Sequence, residues 1–197
     1  MPSMPQPGSE VTCQPLTYER WCDLEGLFGP RGATGGCWCM WWRVPRRQFK
    51  AQKGDGNKWA LHRLVENDEE PGLLAYADGQ PVGWCALGPR QCYPVLEHSR
   101  ILKRVDDQPV WSVVCFFVRR SYRGRGVTTL LLRAALEHAR QHGARILEGY
   151  PIEPKASRTP DVFAYTGLAS SFRQAGFVEV LRRSETRPIM RYVIEAG

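Results

Sequence analysis

The stretch from 110 to 149, "VWSVVCFFVRRSYRGRGVTTLLLRAALEHARQHGARILEG", limits the fold more than any other part of the chain. An apolar run at 110 to 118 reads as a strand, and a glycine- and arginine-rich turn follows it. Val127, Leu130, Leu131, Ala134, Ala135, His138 and Ala139 then recur at i, i+3, i+4, i+7, i+8, i+11 and i+12, which is one stripe of a helix. Gly143 ends that helix. A second strand, "RILEGYP", follows at once, so the segment is a strand–helix–strand crossover.

The rest of the chain adds strands on either side. "GLLAYADGQPVGWCAL" is a hairpin around Asp78-Gly79, a pair that supplies the positive φ angles of a tight turn. "VTCQPL" reads as a strand, with Thr17 as cap of a helix over "YERWCDLEGLF" that stops at Gly29-Pro30. "QFKAQ", "NKWALHRLVEN" and a piece around "PVLEHSRIL" read as helical, "GLASSFRQAG" as a short helix, and "FVEVLRRS" with "RPIMRYVI" as a closing pair of strands. The pattern predicts an α+β fold: a mixed, mostly antiparallel central sheet with helices on both faces. At 197 residues and 43% hydrophobic the chain suits one domain over 11–197, after a Pro-, Gly- and Ser-rich tail over 1–10 that reads as disordered.

"GCWCMWWR" alternates Cys37, Cys39 and Trp41 with Trp38, Met40 and Trp42, so both faces are apolar. A buried strand accounts for this, and so does the wall of a pocket for an aromatic or cationic ligand.

No apolar run reaches the roughly 18 residues of a membrane span, and the start lacks a signal-peptide pattern, so a cytoplasmic protein is expected. The seven cysteines lie in apolar or aromatic stretches, as reduced, packed thiols do. "CWC" has one residue between its thiols, and His62, His98 and His142 show no ligand spacing, so no metal is expected. The formal charge of +7 attracts phosphates, an anionic cofactor or nucleic acid alike.

The turn between strand and helix is the candidate site. A helix start leaves four backbone N–H groups unpaired and favours an anion. Gly124 and Gly126 let the backbone approach a bulky phosphate, and Arg123 and Arg125 bring charge that pairs with a diphosphate. A solvated basic turn is the simpler alternative. The segment is neither a P-loop, which needs a Lys after its last glycine, nor a dinucleotide fingerprint, which needs a third glycine where Thr129 stands.

In its strand-to-helix setting, "VRRSYRGRGVT" resembles the coenzyme A motif [RQ]-x-x-G-x-[GA] of the GNAT superfamily of acyl-CoA N-acyltransferases. The similarity runs on through "HARQHGARILEGYP" and "SSFRQAGFVEV", covering about residues 71 to 194. It implies an acyltransferase that uses acetyl-CoA and no metal. Phe116, Phe117 and Val118 would offer backbone groups to the pantetheine arm where the strand is splayed by a bulge. Arg123, Gly124, Arg125, Gly126, Val127 and Thr128 would surround the pyrophosphate. Thr128 departs from the family's Gly or Ala.

Both usual catalysts are replaced, since Ser112 stands where some members carry a Glu base and Phe172 where many carry a Tyr acid. Tyr165, Glu148 and Tyr150 are the remaining candidates for proton transfer. Cys115 as a nucleophile lacks an evident His partner, and His138 lies on the apolar stripe as a packed residue would. The acceptor implied is a small-molecule or peptide amine, aromatic or cationic, met by a monomer or homodimer without a membrane partner. A catalytically silent protein that binds coenzyme A is the alternative reading, and a nucleic-acid binder a third.

Overall fold

The computed structural model describes residues 11–154 and 165–195, so the tail predicted over 1–10 lies outside the described residues. Seven strands form one sheet: β1 (Val11–Pro15), β2 (Gly72–Ala77), β3 (Gln80–Pro89), β4 (Trp111–Val118), β5 (Ile146–Gly149), β6 (Val178–Arg182) and β7 (Pro188–Val193), in the order β1-β2-β3-β4-β5-β7-β6. The α-helices are α1 (Trp21–Phe28), α2 (Arg46–Ala51), α3 (Asp55–Glu66), α4 (Pro94–Glu97), α5 (Val127–Gln141) and α6 (Ala169–Gln174). Every neighbouring pair is antiparallel except β4 and β5, which are parallel because α5 carries the chain back across the sheet between them. The mixed sheet read from the sequence is therefore the observed one.

Alternation along the central strands feeds two cores. Leu74, Trp84, Ala86 and Val114 point to the face covered by α1 and α3. Leu73, Ala75, Cys85, Leu87 and Val113 point to the face covered by α5 and α6. The stripe on α5 buries Val127, Leu131, Leu132, Ala135, His138 and Ala139 against the second face. The β2–β3 hairpin turns at Asp78 and Gly79, whose φ angles of 50° and 71° are those the Asp-Gly pair promised.

The Cys/Trp segment departs from its sequence reading. Residues 37–44 form turns rather than a strand, and Trp38 and Cys39 take φ values of 42° and 54°, which extended backbone excludes. Burial is retained all the same: Trp38, Cys39, Met40 and Trp42 join the first core, where the Trp84 indole donates to Cys39 Sγ at 3.1 Å. The start of the first helix also differs. A 3-10 turn over Tyr18–Arg20 precedes α1, and Thr17 accepts a hydrogen bond from Arg20 Nη1 instead of capping a backbone N–H. The helical piece around "PVLEHSRIL" shrinks to the single turn of α4.

Candidate active site

β4 carries an irregularity at the middle of its length. Ala86 of β3 faces Cys115 while Leu87 faces Val113, so Val114 is one residue too many. Val114 and Cys115 consequently turn to the same core, and the ordinary alternation resumes at Phe116 and Phe117. A bulge of this kind bends the strand that holds it. Pairing with β5 ends at Val113↔Gly149, and among the described residues no strand lies along that edge of β4 over Cys115–Val118.

The chain beyond β5 goes to another neighbour. Ile152 N–H donates to the Gly167 carbonyl at 2.9 Å, and Ala169 N–H to the Ile152 carbonyl at 2.9 Å. Phe172 wedges into the fork between the strands. A Cβ on Gly149 would stand 2.1 Å from its ring, and one on Gly167 2.9 Å from it, so both glycines are set by that ring. Phe172 is fully buried and packs edge-on to Phe116 and Phe177, which makes it a structural wedge without a proton to give.

The open edge of β4 leads into the glycine turn. Gly124 and Gly126 both have positive φ, 71° and 78°, and neither has any heavy atom within 4 Å of where a Cβ would stand. Gly126 is the N-cap of α5, and no side chain caps the helix. The N–H groups of its first turn thus have no side-chain cap. Arg123 Nε donates to the Val118 carbonyl at 3.0 Å, tying the turn to the end of the strand, and Arg125 lies against the Tyr122 ring. Phe116, Phe117, Val118 and residues 123 to 128 are therefore brought together as one continuous backbone path. That path suits an extended, amide-bearing arm ending in a diphosphate: glycines, unpaired amides and guanidinium groups are the donor set such a group needs.

Glu148 and Tyr150 sit in a buried polar network beside this fork. Glu148, 1% exposed, accepts from Arg90 Nη1 at 2.9 Å, from Tyr150 OH at 2.7 Å and from Arg191 Nε at 2.7 Å. Tyr150 spends its one proton on Glu148, so the 2.8 Å contact with Ser112 has the serine as donor. Arg90 continues to Glu97 and Arg191 to Asp106, while Arg104 closes on Glu97. Three guanidinium groups thus face three carboxylates. The arginines hold the carboxyls of Glu97 and Asp106 below their usual range, although burial opposes this at Glu97, and burial pushes the Tyr150 phenol well up. This network joins the end of β3, β4, β5 and β7 at the base of the fork. The sequence could not show it, because its members lie up to 101 residues apart, from Arg90 to Arg191.

Tyr165 lies on the other side, packed against the core that contains Cys115. Burial raises its pKa, while the positive charges of Arg187 and Arg46 pull the other way. Arg46 stacks over the Trp41 ring, and Arg187 donates to Thr166 Oγ1 at 2.9 Å. Among the described residues neither arginine has a carboxylate within ion-pair distance. The Cys115 thiol lies 3.4 Å from Cys39 Sγ, with no histidine beside it. Two shallow depressions, one lined by Thr12, Arg20, Asp23 and Tyr76 and the other by Gly36, Trp38, Gly54 and Lys58, share no residue with the backbone path. His138 is buried as its place on the stripe suggested, and the structure brings it together with His142 and Glu70, a grouping missed in the sequence.

A mixed sheet forked between two parallel strands, with a glycine turn capping the crossover helix at the mouth of the fork, defines an acyl-CoA N-acyltransferase fold. The chain belongs to the acetyltransferase (GNAT) family, whose family model matches residues 38–153. It is similar to an uncharacterized N-acetyltransferase of Methanocaldococcus jannaschii, 29% identical over 91 residues, which are 46% of this chain and 36% of that protein. The match thus spans about a third of the relative's length. Among solved structures, the PaiA N-acetyltransferase of Thermoplasma acidophilum in complex with coenzyme A superposes with a TM-score of 0.51 at 13% identity, covering 93% of this chain and 99% of that one. YncA from Salmonella typhimurium, with its cofactor acetyl-CoA, gives 0.52 at 12% identity and covers 95% of each chain. These likenesses are of fold. No helix among the described residues is long and apolar enough to cross a membrane.

Proposed function

We propose that the protein transfers an acetyl group from acetyl-CoA to a primary amine, with donor and acceptor bound together. One observation carries this reading: the edge of β4, open among the described residues, leads through the single 3-10 turn Arg120–Tyr122 to the uncapped, glycine-lined start of α5. Membership of the family supports the reaction class, and the coenzyme A and acetyl-CoA complexes of PaiA and YncA support the donor. Bound there, acetyl-CoA supplies a thioester carbonyl as electrophile.

The chain's own residues then divide the work. Backbone groups of Phe116, Phe117 and Val118 align the arm, and the amides of Gly124 to Thr128 receive the diphosphate with Arg123 and Arg125 balancing its charge. Positioning of the amine against the carbonyl carbon lowers the barrier by making the encounter intramolecular. Tyr165, kept protonated by burial, is the group we place as proton donor to the departing sulfur. Glu148 accepts hydrogen bonds on both its oxygens from two arginines and a tyrosine, an arrangement that suits a fixed anion holding β5 better than a base. The incoming amine therefore loses its proton to water before or during attack.

Arg46 and Arg187, which have no carboxylate partner among the described residues, flank Tyr165 beside Trp41. A cationic acceptor would be repelled there. An amine that stacks on an indole and carries a carboxylate or other acidic group fits better.

The test is release of free coenzyme A thiol from acetyl-CoA across a panel of amines with and without acidic groups, confirmed by mass spectrometry of the acetylated product. Turnover favouring acidic aromatic or peptide amines is expected. No turnover on any amine, by a protein that binds acetyl-CoA, would establish the silent coenzyme A binder instead.

A further inference from the structure

We propose that Glu70, His138 and His142 form a binding site for one divalent transition-metal ion, Zn²⁺ by its donor chemistry. One ligand atom from each residue lies within 4.8 Å of the other two. His138 and His142 stand one turn apart at the C-terminal end of α5, so both rings leave the same side of the helix. Glu70 comes from the segment that leads into β2.

The geometry of the two contacts to Glu70 points to a shared cation. Nε2 of His138 is 3.7 Å from Glu70 Oε2, and Nε2 of His142 is 3.6 Å from the same oxygen. Both are too long for hydrogen bonds. They are close to the spacing of two ligands on one tetrahedral zinc, which at metal–ligand distances near 2.0 Å is roughly 3.3 Å. His138 is 6% exposed, and its Nε2 has no hydrogen-bond partner. A buried ring nitrogen left unpaired is costly, and a metal bond satisfies it.

His142 adds the orientation. Its Nδ1 lies 2.8 Å from the His138 carbonyl, an acceptor only, so Nδ1 carries a proton and Nε2 is the nitrogen that faces Glu70. In the neutral ring Nε2 carries a lone pair, and a metal ion between it and the carboxylate would bind both. The Trp111 ring walls the site, with centroids 5.8 Å from His138 and 5.3 Å from His142. Two imidazoles and one carboxylate suit Zn²⁺, with a fourth position left for water, and disfavour the oxygen-seeking Mg²⁺ and Ca²⁺.

The site lies about 18 Å along α5 from Gly126, too far to touch the glycine turn. Its effect is to clamp the end of the crossover helix to the start of β2.

The full chain, stripped with a chelator and kept reduced, is titrated with ZnSO₄ by calorimetry and with CoCl₂ by absorption. One ion per chain is expected, with cobalt d–d bands but no thiolate charge-transfer band, and with a raised melting temperature. Glu70→Ala and His142→Ala, both at partly exposed positions, should each weaken binding at least tenfold, and His98→Ala should not. Circular dichroism checks that each variant is folded. No binding by the wild type overturns the proposal. So does binding that persists unchanged in both ligand variants, or a thiolate band, which would move the metal to the cysteines.

Discussion

At the scale of single residues, two side chains near the fork part company by their surroundings. Tyr165 is held above its ordinary pKa of 10 chiefly by burial, so its phenol stays protonated throughout the neutral and mildly alkaline range. The amine loses its own proton as pH rises, so the rate should climb and then stay level, with no descending limb below about pH 10. Tyr165→Phe should lower kcat about a hundredfold with little change in the affinity for acetyl-CoA. A pH–rate profile of both proteins checks this, and an unchanged kcat would remove Tyr165 from the reaction. Glu148 calls for a different measurement. Glu148→Gln leaves the three arginines of the network with only the partly exposed Glu97 and Asp106 as counterions, at a cost of about 3–5 kcal/mol, or roughly 10 °C of melting temperature in a chain of this size. A lowered kcat in a protein of unaltered melting temperature would instead make Glu148 a base.

At the scale of elements, the periodic segments were the readable ones. The stripe of α5, the Asp-Gly hairpin and the crossover all follow from spacing, because each buries a face whose period the sequence repeats. "GCWCMWWR" misled for a definite reason: when both faces of a segment are apolar, alternation no longer distinguishes an extended strand from a compact buried turn. The deciding facts lie elsewhere in the chain. Gly32 accepts the Trp38 indole at its Cα, where a Cβ would be only 2.1 Å from Nε1, and Trp38 and Cys39 take positive φ in the same buried turn. The buried network escaped notice for the same reason, since Arg90, Asp106, Glu148 and Arg191 meet only after β3, β4, β5 and β7 assemble. The fork itself is testable at this scale. Gly149→Ala drives a methyl into Phe172 and should destabilise the fold by about 1–3 kcal/mol. Phe172→Leu should return part of that loss in the double variant, read by chemical denaturation. Additive effects would mean that the ring and the glycine are not coupled.

At the scale of the whole molecule, the sheet is a device for parting two parallel strands. The bulge at Val114 bends β4, the wedge of Phe172 holds the fork, and α5 presents its unpaired amides at the mouth. The glycine turn was legible in the sequence because it is local and contiguous, whereas the grouping of Trp41, Arg46, Tyr165 and Arg187 was not, since these residues gather from three separate regions. The net charge of +7 belongs to the same picture. Ion pairs use both signs equally and leave this excess intact, and a basic excess favours anionic ligands. The most direct measurement is calorimetric titration of acetyl-CoA into the wild type and into Gly126→Glu. The substitution places a carboxylate at the proposed diphosphate position, where no described atom lies within 4 Å of its Cβ, and costs the fold about 1–2 kcal/mol through its positive φ. Binding of one acetyl-CoA by the wild type, weakened at least about a hundredfold in a still-folded Gly126→Glu protein, is the predicted result. Equal affinity in the two proteins would place the diphosphate elsewhere and contradict the account.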